Sequence, residues 1–487
     1  MIELTLGEVA AIVGGRLSRA DPATVVTGSV EFDSRAVPPG GLFLALPGER
    51  VDGHDYVAQA LAAGAVAAVV ARPVDGPAIE VADGFAALAA LAAEVLRRLP
   101  DVLVIGVTGS SGKTSTKDLL AQLLRRLGST VAPPGSFNNE LGHPYTVLRA
   151  TDDTRYLVLE NSARGIGHIR HLTEIAPPKI AVVLNVGSAH LGEFGSRAAI
   201  AQAKGELVEA LPSDGVAVLN ADDPLVAAMA ARTRARVVLV GEAAGADVRA
   251  SDVSLDELGR ATFTLRAAGA EATVRLRLVG AHHVGNALAA AAVALECGLP
   301  LDAVAAALGE AKALSRWRME VTERPDGVVV INDAYNANPE SMRAAMKALA
   351  EVARARRATG GRSFAVLGEM AELGADSRAE HDAIGRLAVR LDIARVVAVG
   401  DVARPIQHGA ALEGSWDGES SWVPDADAAV ALLRAELRPG DAVLVKASRA
   451  ASLERVALAI IADASTDAST DASTNASTNA STDGGDG

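Results

Sequence analysis

The amino-acid sequence predicts an α/β fold of three domains: a small α/β N-terminal domain, a central parallel sheet around a P-loop, and a Rossmann-like C-terminal domain. With 487 residues, 49% of them apolar, the chain has the length of about three domains of roughly 150 residues. An apolar run leads into a glycine-rich turn and a helical pattern at 104–116, and strand-like and helical runs alternate later in the chain. We expect domains at residues 1–83, 84–313 and 314–463, with a tail at 464–487.

The net charge and the cysteine count narrow the possible functions. A formal charge of −14 argues against a general nucleic-acid-binding surface, which needs a basic patch or stripe. The single cysteine, Cys297, excludes an internal disulfide or a multi-cysteine metal site, and its apolar surroundings predict a core thiol. The N-terminus lacks a signal peptide, and no apolar run is long enough to span a bilayer. We therefore expect a cytoplasmic protein without membrane insertion.

Residues 1–83 predict a small α/β domain. Short alternating runs are typical of strands, and one helix is expected at about 56–63. The stretch D-S-R-A-V-P-P-G-G-L-F-L-A-L at 33–46 places Ser34 and Arg35 before a Pro/Gly turn. Arg35 has the charge to pair with a phosphate. A solvated turn with an exposed arginine explains the same residues equally well.

The clearest motif is the stretch at 104–116, in which an apolar β-type run leads into a glycine-rich turn. Its glycines permit a tight turn in which several N–H groups face one anion, and the next helix adds the positive end of its dipole. Lys113 is placed to reach the β- and γ-phosphates of a nucleotide, and Thr114 to bind Mg²⁺. The spacing departs from G-x-x-x-x-G-K-[ST], because Val107 stands where the first glycine belongs. We predict a variant nucleotide-binding loop formed by Gly109, Ser110, Ser111, Gly112, Lys113, Thr114 and Ser115.

An irregular segment follows the helix after this loop. P-P-G-S-F-N-N-E-L-G-H-P at 133–144 carries two amides, Asn138 and Asn139, among turn residues. Such a segment is typical of a recognition loop. A plain surface connection is the alternative.

Two further strand-like runs end in polar residues. One ends in Glu160, and the other, at 180–185, continues to His190. Because ligands bind outside the carboxyl ends of parallel strands, both side chains can converge beside the phosphate loop. Glu160 suits a divalent cation, and His190 suits the orientation of a metal-bound water. The alternatives are a solvated glutamate and a structural histidine, and Lys204 is by spacing alone a solvated lysine.

The rest of the chain extends the α/β pattern. Residues 236–278 alternate as β-strands, and G-A-H-H-V-G-N at 280–286 opens an Ala-rich helix expected to contain Cys297. From residue 314, strands alternate with helices as in a doubly wound sheet. Strands are expected at 328–331, 363–367, 395–399 and 441–446. No G-x-G-x-x-G follows, so no dinucleotide site is predicted, and the Ala-Ser-Thr-Asp/Asn repeats of the tail predict disorder.

Together these motifs resemble the Mur ligase family, the ATP-dependent ligases of peptidoglycan precursor synthesis. The shared stretches are T-G-S-S-G-K-T at 108–114, Glu160, N-V-G-S-A-H-L at 185–191, A-K-G-E at 203–206 and H-H-V-G-N at 282–286. The stretches at 33–46, 332–342 (N-D-A-Y-N-A-N-P-E-S-M) and 367–374 (L-G-E-M-A-E-L-G) are similar to the members that add D-alanyl-D-alanine. The likeness spans about residues 1–460.

The resemblance implies a role for each candidate residue. Ser34 and Arg35 match the UDP motif, and Asn138 and Asn139 match the loop that holds the muramoyl-peptide. The implied metal ligands are Thr114, Glu160, His190 and Lys204, the last of which is carbamylated in family members. The implied ATP contacts beyond the loop are Asn286, Arg318 and Asp333. The implied dipeptide contacts are Asn336, Asn338, Ser341, Lys446 and Arg449.

Two positions differ from the family's usual pattern. His283 stands where G-x-H-N-x-x-N has an asparagine, and Asn161-Ser162 follow Glu160 where Met-Gly is common. These differences fall beside the implied adenine contact and beside the implied metal site.

The activity implied by the resemblance is ATP-dependent ligation of D-alanyl-D-alanine to UDP-N-acetylmuramoyl-tripeptide through an acyl phosphate. Two Mg²⁺ ions, Lys113, His190 and Lys204 would carry the catalysis, and we expect a monomer. A ligase that adds the third peptide residue shares the 33–46 motif, and folylpolyglutamate synthase shares the ATPase core without needing that motif. A nucleotide-switch interaction protein is the non-enzymatic alternative, but it leaves the implied metal ligands unexplained.

Overall fold

The structure, a computed structural model, describes residues 1–48, 51–188, 191–414 and 419–463. Helices alternate with strands that form one two-stranded pair and sheets of five, nine and six strands. The predicted α/β fold class is confirmed. The tail at 464–487 lies outside the described residues. Within the described part of the chain, no helix combines the length and the apolar character needed to cross a membrane.

The N-terminal region contains one more helix than the sequence analysis expected. Its elements are β1 (Leu4–Thr5), α1 (Leu6–Ile12), β2 (Arg16–Ser18), β3 (Val25–Val26), β4 (Val30–Glu31), β5 (Leu42–Leu44), α2 (Val57–Ala63), β6 (Ala67–Val70) and β7 (Ala78–Glu80). The five-stranded sheet has the order β2-β7-β6-β5-β4, and β1 pairs with β3. Helix α1 is too short for its periodicity to predict it, and a capping box between Thr5 and Glu8 closes its N-terminus.

The central region holds the nine-stranded sheet. Its elements are α3 (Gly84–Arg97), β8 (Leu103–Thr108), α4 (Lys113–Leu124), β9 (Thr130–Val131), α5 (Gly142–Val147), β10 (Tyr156–Glu160), α6 (His168–Ile175), β11 (Ile180–Val183), α7 (Leu191–Phe194), α8 (Arg197–Glu209), β12 (Val216–Asn220), α9 (Pro224–Ala227), β13 (Arg236–Gly241), β14 (Val248–Leu255), β15 (Arg260–Ala267), β16 (Ala270–Val279), α10 (His283–Glu296) and α11 (Leu301–Glu310). The strand order is β16-β15-β14-β13-β12-β11-β8-β10-β9. Strands β9 to β14 and β8 run parallel, whereas β15 and β16 are antiparallel additions.

Strand β8 is the topological switch point of this sheet. Strands β10 and β11 lie on its two sides, and both run parallel to it. The connection that leaves β8 leads to the side of β9, whereas the connection that leaves β10 crosses to β11 on the other side, which opens a crevice at the carboxyl end of β8. The glycine-rich loop lies at this crevice, where the sequence analysis expected a ligand.

The C-terminal region is a second, mostly parallel sheet. Its elements are β17 (Glu320–Glu323), β18 (Val329–Asn332), α12 (Pro339–Arg356), β19 (Ser363–Leu367), α13 (Ser377–Arg390), β20 (Arg395–Val399), α14 (Arg404–Glu413), β21 (Ser420–Val423), α15 (Ala426–Glu436) and β22 (Ala442–Lys446). The order is β17-β18-β22-β19-β20-β21, and only β17 is antiparallel to its neighbour. Residues 454–463 form a final described helix. The predicted doubly wound pattern is confirmed.

The cores of the three regions are partly continuous. An apolar cluster around α3 joins residues of the first sheet, such as Val69, to residues of the central sheet, such as Leu157. Helix α10 ends at Glu296, because Gly298 adopts a positive φ of 91°. Cys297 therefore lies just past the helix and is half-buried at the edge of the central core, instead of within the helix and the core as predicted.

Candidate active site

The phosphate loop turns from β8 into α4 through a glycine that cannot carry a side chain. Gly112 has a φ of +82°, and a Cβ there would lie 2.5 Å from Oδ1 of Asn286. Helix α4 begins at Lys113, directly after this turn. The N-terminal N–H groups of α4 and its dipole therefore face the crevice. The Nζ of Lys113 donates to the carbonyl of Gly109 at 2.7 Å, and burial lowers the pKa of Lys113 to about 8.

The segment after β11 braces this loop. Oδ1 of Asn185 accepts from the N–H of Ser111 at 2.9 Å, and the Asn185 amide donates back to the Ser111 carbonyl at 3.2 Å. The N–H of Gly187 donates to the hydroxyl of Ser110 at 2.8 Å. The loop conformation is thus held by Asn185 and Gly187, which were not predicted as site residues although they lie in the quoted 185–191 motif.

Glu160 sits at the end of β10, beside the head of α4. Its side chain is fully buried, and Oε2 accepts from the hydroxyl of Thr114 at 3.3 Å and from the amide of Asn138 at 3.4 Å. Oε1 has no hydrogen-bond partner among the described residues. Burial raises the pKa of Glu160, against the pull of nearby cations led by Lys117. A buried carboxylate oxygen without a partner, next to a threonine hydroxyl, is a donor set that fits Mg²⁺.

Lys204 is buried on α8, with 5% of its surface exposed. Burial, and then repulsion from Lys113, lowers the pKa of Lys204 well below the ordinary lysine value. In the parts of the chain that the structure covers, Nζ of Lys204 forms no hydrogen bond or ion pair. The solvated lysine suggested by spacing alone is therefore wrong. The other predicted metal ligand, His190, lies outside the described residues.

The described residues alone do not assemble a ready metal cage. Among them, no three His, Cys, Asp or Glu side chains cluster closely enough to hold an ion. Mg²⁺ in nucleotide sites usually takes only one or two carboxylates and completes its shell with phosphate oxygens and waters. The pair of Thr114 and Glu160 is consistent with that type of site.

A cavity of about 620 Å³ lies between the central and C-terminal sheets. It brings together most of the predicted nucleotide-binding and peptide-binding residues: Ser110, Ser111, Gly112, Lys113, Thr114, Ser115, Asn138, Asn139, Asn286, Arg318, Asp333, Asn336, Asn338, Ser341, Lys446 and Arg449. Gly109, Glu160 and Lys204 are not among its lining residues. Ser34 and Arg35 do not line it.

The three predicted ATP contacts outside the loop come from both sides of the cavity: Asn286 from the central region, and Arg318 and Asp333 from the C-terminal region. Asn286 is buried on α10, and its amide lies 3.4 Å from Nδ1 of His283. Arg318 stacks over the ring of Tyr335 at 4.1 Å and donates to the hydroxyl of Ser136 at 2.8 Å. Nε of Arg318 is buried without a partner among the described residues. The guanidinium therefore keeps a free donor beside the cavity.

Two of the predicted site residues form a buried ion pair. Nζ of Lys446 lies 2.5 Å from Oδ2 of Asp333, and it also donates to the carbonyl of Asn336 at 3.0 Å. Oδ1 of Asp333 accepts from the N–H of Met319 at 3.0 Å. The carboxyl ends of β18 and β22 are thereby tied together at the cavity wall.

Asn338 and Ser341 serve the fold as well as facing the cavity. They form a capping box at the N-terminus of α12, in which each side chain accepts from the other residue's N–H. The Asn338 amide also donates to the carbonyl of Ser110 at 3.2 Å. Arg449 is exposed, stacks on Trp317 at 4.6 Å and pairs with Glu454 at 2.7 Å.

The predicted UDP-binding residues lie on the N-terminal sheet, away from this cavity. The hydroxyl of Ser34 donates to Gln59 at 3.0 Å, and Arg35 forms an exposed ion pair with Asp33 at 2.8 Å. Beside them, Phe32 packs edge-to-face on the ring of Tyr145 at 5.0 Å. The Phe32 ring also lies edge-on to the ring of Phe137, with 6.3 Å between centroids. Phe32, directly before the 33–46 stretch, thus adjoins the 133–144 loop, which reaches the cavity through Asn138.

Sequence reasoning missed several cavity residues. Ser136, Arg164, His168, Asn185, Tyr335 and Ser448 all line it. Ser136 and Asn185 stood in stretches that had been singled out, so their position after a strand or within a turn was the available signal. Arg164 and His168 gave no such signal, because only the folded chain brings them to the cavity.

Three family models match the chain in succession. The Mur ligase family catalytic domain matches residues 27–96, the Mur ligase middle domain 107–294, and the Mur ligase glutamate ligase domain 317–449. A Mycobacterium tuberculosis protein named UDP-N-acetylmuramoyl-tripeptide–D-alanyl-D-alanine ligase is 59% identical, over 95% of this chain and 98% of that protein.

Two solved structures of Mur ligases have the same fold over more than nine-tenths of this chain. A crystal structure of MurF from Acinetobacter baumannii superposes with a TM-score of 0.82 at 33% identity, over 93% of this chain and 98% of that one. MurF ligase from Thermotoga maritima, crystallised in complex with ADP, has a TM-score of 0.77 at 32% identity, over 91% of this chain and 99% of that one. With this cavity, these motifs and these relatives, the chain belongs to the Mur ligase family.

Proposed function

We propose that this chain is the ATP-dependent ligase that joins D-alanyl-D-alanine to UDP-N-acetylmuramoyl-tripeptide, which yields the UDP-muramoyl-pentapeptide. The carrying observation is that the phosphate loop and the 332–342 motif face one cavity in a chain 59% identical to a ligase of that name. One site can then activate a carboxylate with ATP and present the product to an amine. ATP use is further supported by the ADP complex of the Thermotoga maritima relative.

The first chemical step is attack by the terminal carboxylate of the tripeptide on the γ-phosphate of ATP. A P–O bond to the attacking oxygen forms, the bond to the ADP oxygen breaks, and the products are an acyl phosphate and ADP. Lys113 and the N–H groups at the head of α4 would bind the phosphates and offset charge on the transferred group. The carbonyl of Gly109 keeps the Lys113 ammonium close to the loop before substrate arrives.

Mg²⁺ belongs to this proposal as the partner of Thr114 and Glu160. The support is the buried Oε1 of Glu160, which has no partner among the described residues, beside the Thr114 hydroxyl. When bound, Mg²⁺ supplies positive charge against the phosphoryl oxygens. The resemblance adds His190 to the ligands.

We also propose that Lys204 is carbamylated. A neutral amine is the form that attacks CO₂, and burial favours the neutral form of Lys204. Addition of CO₂ with loss of one proton turns the amine into a carbamate, whose oxygens suit a second Mg²⁺. Burial without a protein partner, seen at Lys204, is unfavourable for a permanently charged ammonium.

In the second step the free amine of D-alanyl-D-alanine attacks the acyl carbon. The C–N bond forms, the C–O bond to phosphate breaks, and the amine loses a proton. The dipeptide would lie at the C-terminal wall, near Asn336, Lys446 and Arg449. Arg449 is exposed there, and its charge suits the dipeptide carboxylate.

The division of labour that we propose follows the three predicted domains. Residues 1–83 would hold the UDP end of the substrate through Ser34 and Arg35, and the 133–144 loop would hold the peptide. Residues 84–313 would bind ATP, and 314–463 would bind the dipeptide and close over the nucleotide. The packing of Phe32 on Tyr145 supports a continuous path from the first domain to the cavity.

The experiment that tests this function measures phosphate release from ATP with UDP-muramoyl-tripeptide present. The acceptor is D-alanyl-D-alanine, a single amino acid, or none. We expect release to be stimulated only by the dipeptide.

Two other outcomes would contradict the proposal. A parallel assay replaces the tripeptide substrate with UDP-muramoyl-dipeptide. Stimulation there by a diamino acid would identify the ligase of the preceding step. Release that ignores every acceptor would favour the nucleotide switch.

A further inference from the structure

Three successive backbone N–H groups next to the phosphate loop are bound by three side chains from different places in the fold. The N–H of Val186 donates to Oδ2 of Asp223, and that of Gly187 to the hydroxyl of Ser110, both at 2.8 Å. The N–H of Ser188 donates to Oε1 of Glu340, also at 2.8 Å. The first two acceptors belong to the central region, whereas Glu340 belongs to α12 of the C-terminal region.

The contact at Glu340 is close and polar on both sides. The Ser188 hydroxyl also reaches the Glu340 carboxylate, at 2.9 and 3.1 Å. Ser188 is buried, with 7% of its surface exposed. A Cβ on Gly187 would lie 2.6 Å from Cδ of Glu340, so only glycine allows this approach. Gly187 and Ser188 thus form a fitted junction with the Glu340 carboxylate between the central and C-terminal regions.

This junction is mechanically connected to the phosphate loop. Residues 185–188 contact the loop through Asn185 to Ser111 and through Gly187 to Ser110. Two residues before Glu340, the Asn338 amide donates to the Ser110 carbonyl. The first turn of α12 therefore touches both the loop and the segment that braces it.

We propose that Glu340 is a positioning residue for phosphoryl transfer, which seats the C-terminal domain on the 185–188 segment through Ser188 and so holds the phosphate loop in its working form. Only the kinetic consequence of this inference rests on the proposed function. If the C-terminal domain moves away, the Ser188 N–H loses its acceptor, while Val186 and Gly187 keep theirs. The amides of Val186 and Gly187 thus serve as internal controls for the amide of Ser188.

The first test is amide hydrogen exchange at single-residue resolution on the full chain with ADP and Mg²⁺. In Glu340→Ala, the Ser188 amide should exchange at least about tenfold faster, because a hydrogen bond to a charged group is lost. Val186 and Gly187 should keep their wild-type rates. Glu351→Ala is the matched control, since Glu351 lies on the same helix and pairs only with Arg354 among the described residues. Unchanged exchange at Ser188, or equal acceleration at all three amides, would overturn the inference.

The second test is kinetic. Glu340→Gln keeps the shape of the side chain, but it removes the charge and replaces one acceptor oxygen with an NH₂ donor, so the contact with Ser188 is weakened. We expect kcat/KM for ATP to fall by about tenfold with an unchanged melting temperature. The double variant with Ser188→Ala should lose little more than Glu340→Gln alone, because both changes act on the same contact. A carboxylate that only stabilises the N-terminus of α12 would instead give additive losses. The exchange experiment contains no D-alanyl-D-alanine and measures no ligation. Its result therefore stands even if the proposed function fails.

Discussion

At the scale of single residues, the phosphate loop depends on one cation. Lys113 is the only lysine or arginine within the 108–115 loop motif, and it lies at the head of α4 beside the cavity. We expect Lys113→Ala to lower kcat by about a thousandfold, because it removes a charge that acts on the transferred phosphoryl group. Lys179→Ala is the control, since Lys179 forms an exposed ion pair with Asp214. A rate for Lys113→Ala within a few fold of wild type would disprove the role.

The Lys204 carbamate makes a separate prediction about chemical rescue. Lys204→Ala should be almost inactive, and added short carboxylates such as formate or acetate should restore part of the rate by filling the vacated position. The rate is measured against carboxylate concentration. Lys113→Ala serves as the comparison and should not respond. Absence of rescue at every concentration would argue against a carbamate.

His143 makes the free energy of unfolding depend on pH. The side chain is fully buried, and burial lowers the pKa of His143 to about 3. From about pH 6.5 down to 3 the unfolded chain therefore binds a proton that the folded chain does not, so stability falls as the pH falls through that window. The contribution of one such histidine is about 1.4 kcal/mol per pH unit.

The measurement is urea unfolding of wild type and His143→Gln at pH 7, 6 and 5. The variant should show the shallower pH dependence, whatever its stability at pH 7. Parallel curves would show that His143 is not kept neutral by the fold.

At the scale of secondary-structure elements, a pair of glycines lets α13 and α14 touch through their backbones. A Cβ on Gly385 would lie 1.9 Å from the carbonyl oxygen of Ile406, and one on Gly409 would lie 2.2 Å from that of Asp382. Gly385→Ala must push the helices apart, and we expect a loss of about 3 kcal/mol of stability, seen as a lower unfolding midpoint. Gly309→Ala on α11 is the control, because its Cβ would meet only an ordinary contact at 3.4 Å. Equal midpoints for the two variants would contradict the packing.

Sequence reasoning was most accurate where elements are regular and buried. The strands at 363–367 and 395–399 were predicted with the observed bounds. Helix α1 was missed because seven residues are too few for a period, and Cys297 fell outside α10 because a left-handed glycine, Gly298, follows the end of that helix. Local pattern therefore predicted elements, and backbone geometry decided their ends.

The site followed the same rule. The phosphate loop was found because its chemistry is concentrated in consecutive residues. Lys204 by spacing resembled a solvated lysine, and only tertiary packing shows it buried. Glu340 and Asn185 lie in quoted motifs, but their contacts could not be predicted, since their partners lie far away in the chain. The roles proposed for Ser34, Arg35 and the dipeptide residues remain predictions.

At the scale of the whole molecule, a short linker around Ser315 joins the C-terminal region to the central region. The linker is fixed by Ser315, whose N–H donates to Asp118 at 2.8 Å beside the buried Lys117. Directly after it, Trp317 and Met319 adopt positive φ values of 59° and 51°, which are strained for residues with side chains. Across the cavity the two regions meet through polar contacts such as Arg164 with Glu372 at 3.4 Å. We infer that the domain rotates about this linker.

Small-angle scattering tests that motion. An ATP analogue together with UDP-muramoyl-tripeptide should reduce the radius of gyration relative to the free chain, because ligands that touch both domains favour the closed form. Lys113→Ala, with weakened nucleotide binding, should compact less. Identical wild-type profiles with and without both ligands would argue against closure.

Activation of the tripeptide carboxylate as an acyl phosphate is tested by following oxygen through one turnover. UDP-muramoyl-tripeptide labelled with ¹⁸O in its terminal carboxylate is incubated with ATP, Mg²⁺ and D-alanyl-D-alanine, and both products are analysed by mass spectrometry. The account predicts UDP-muramoyl-pentapeptide and an equal amount of inorganic phosphate that carries one ¹⁸O atom from the carboxylate. Unlabelled phosphate, or phosphate released without pentapeptide, would contradict it.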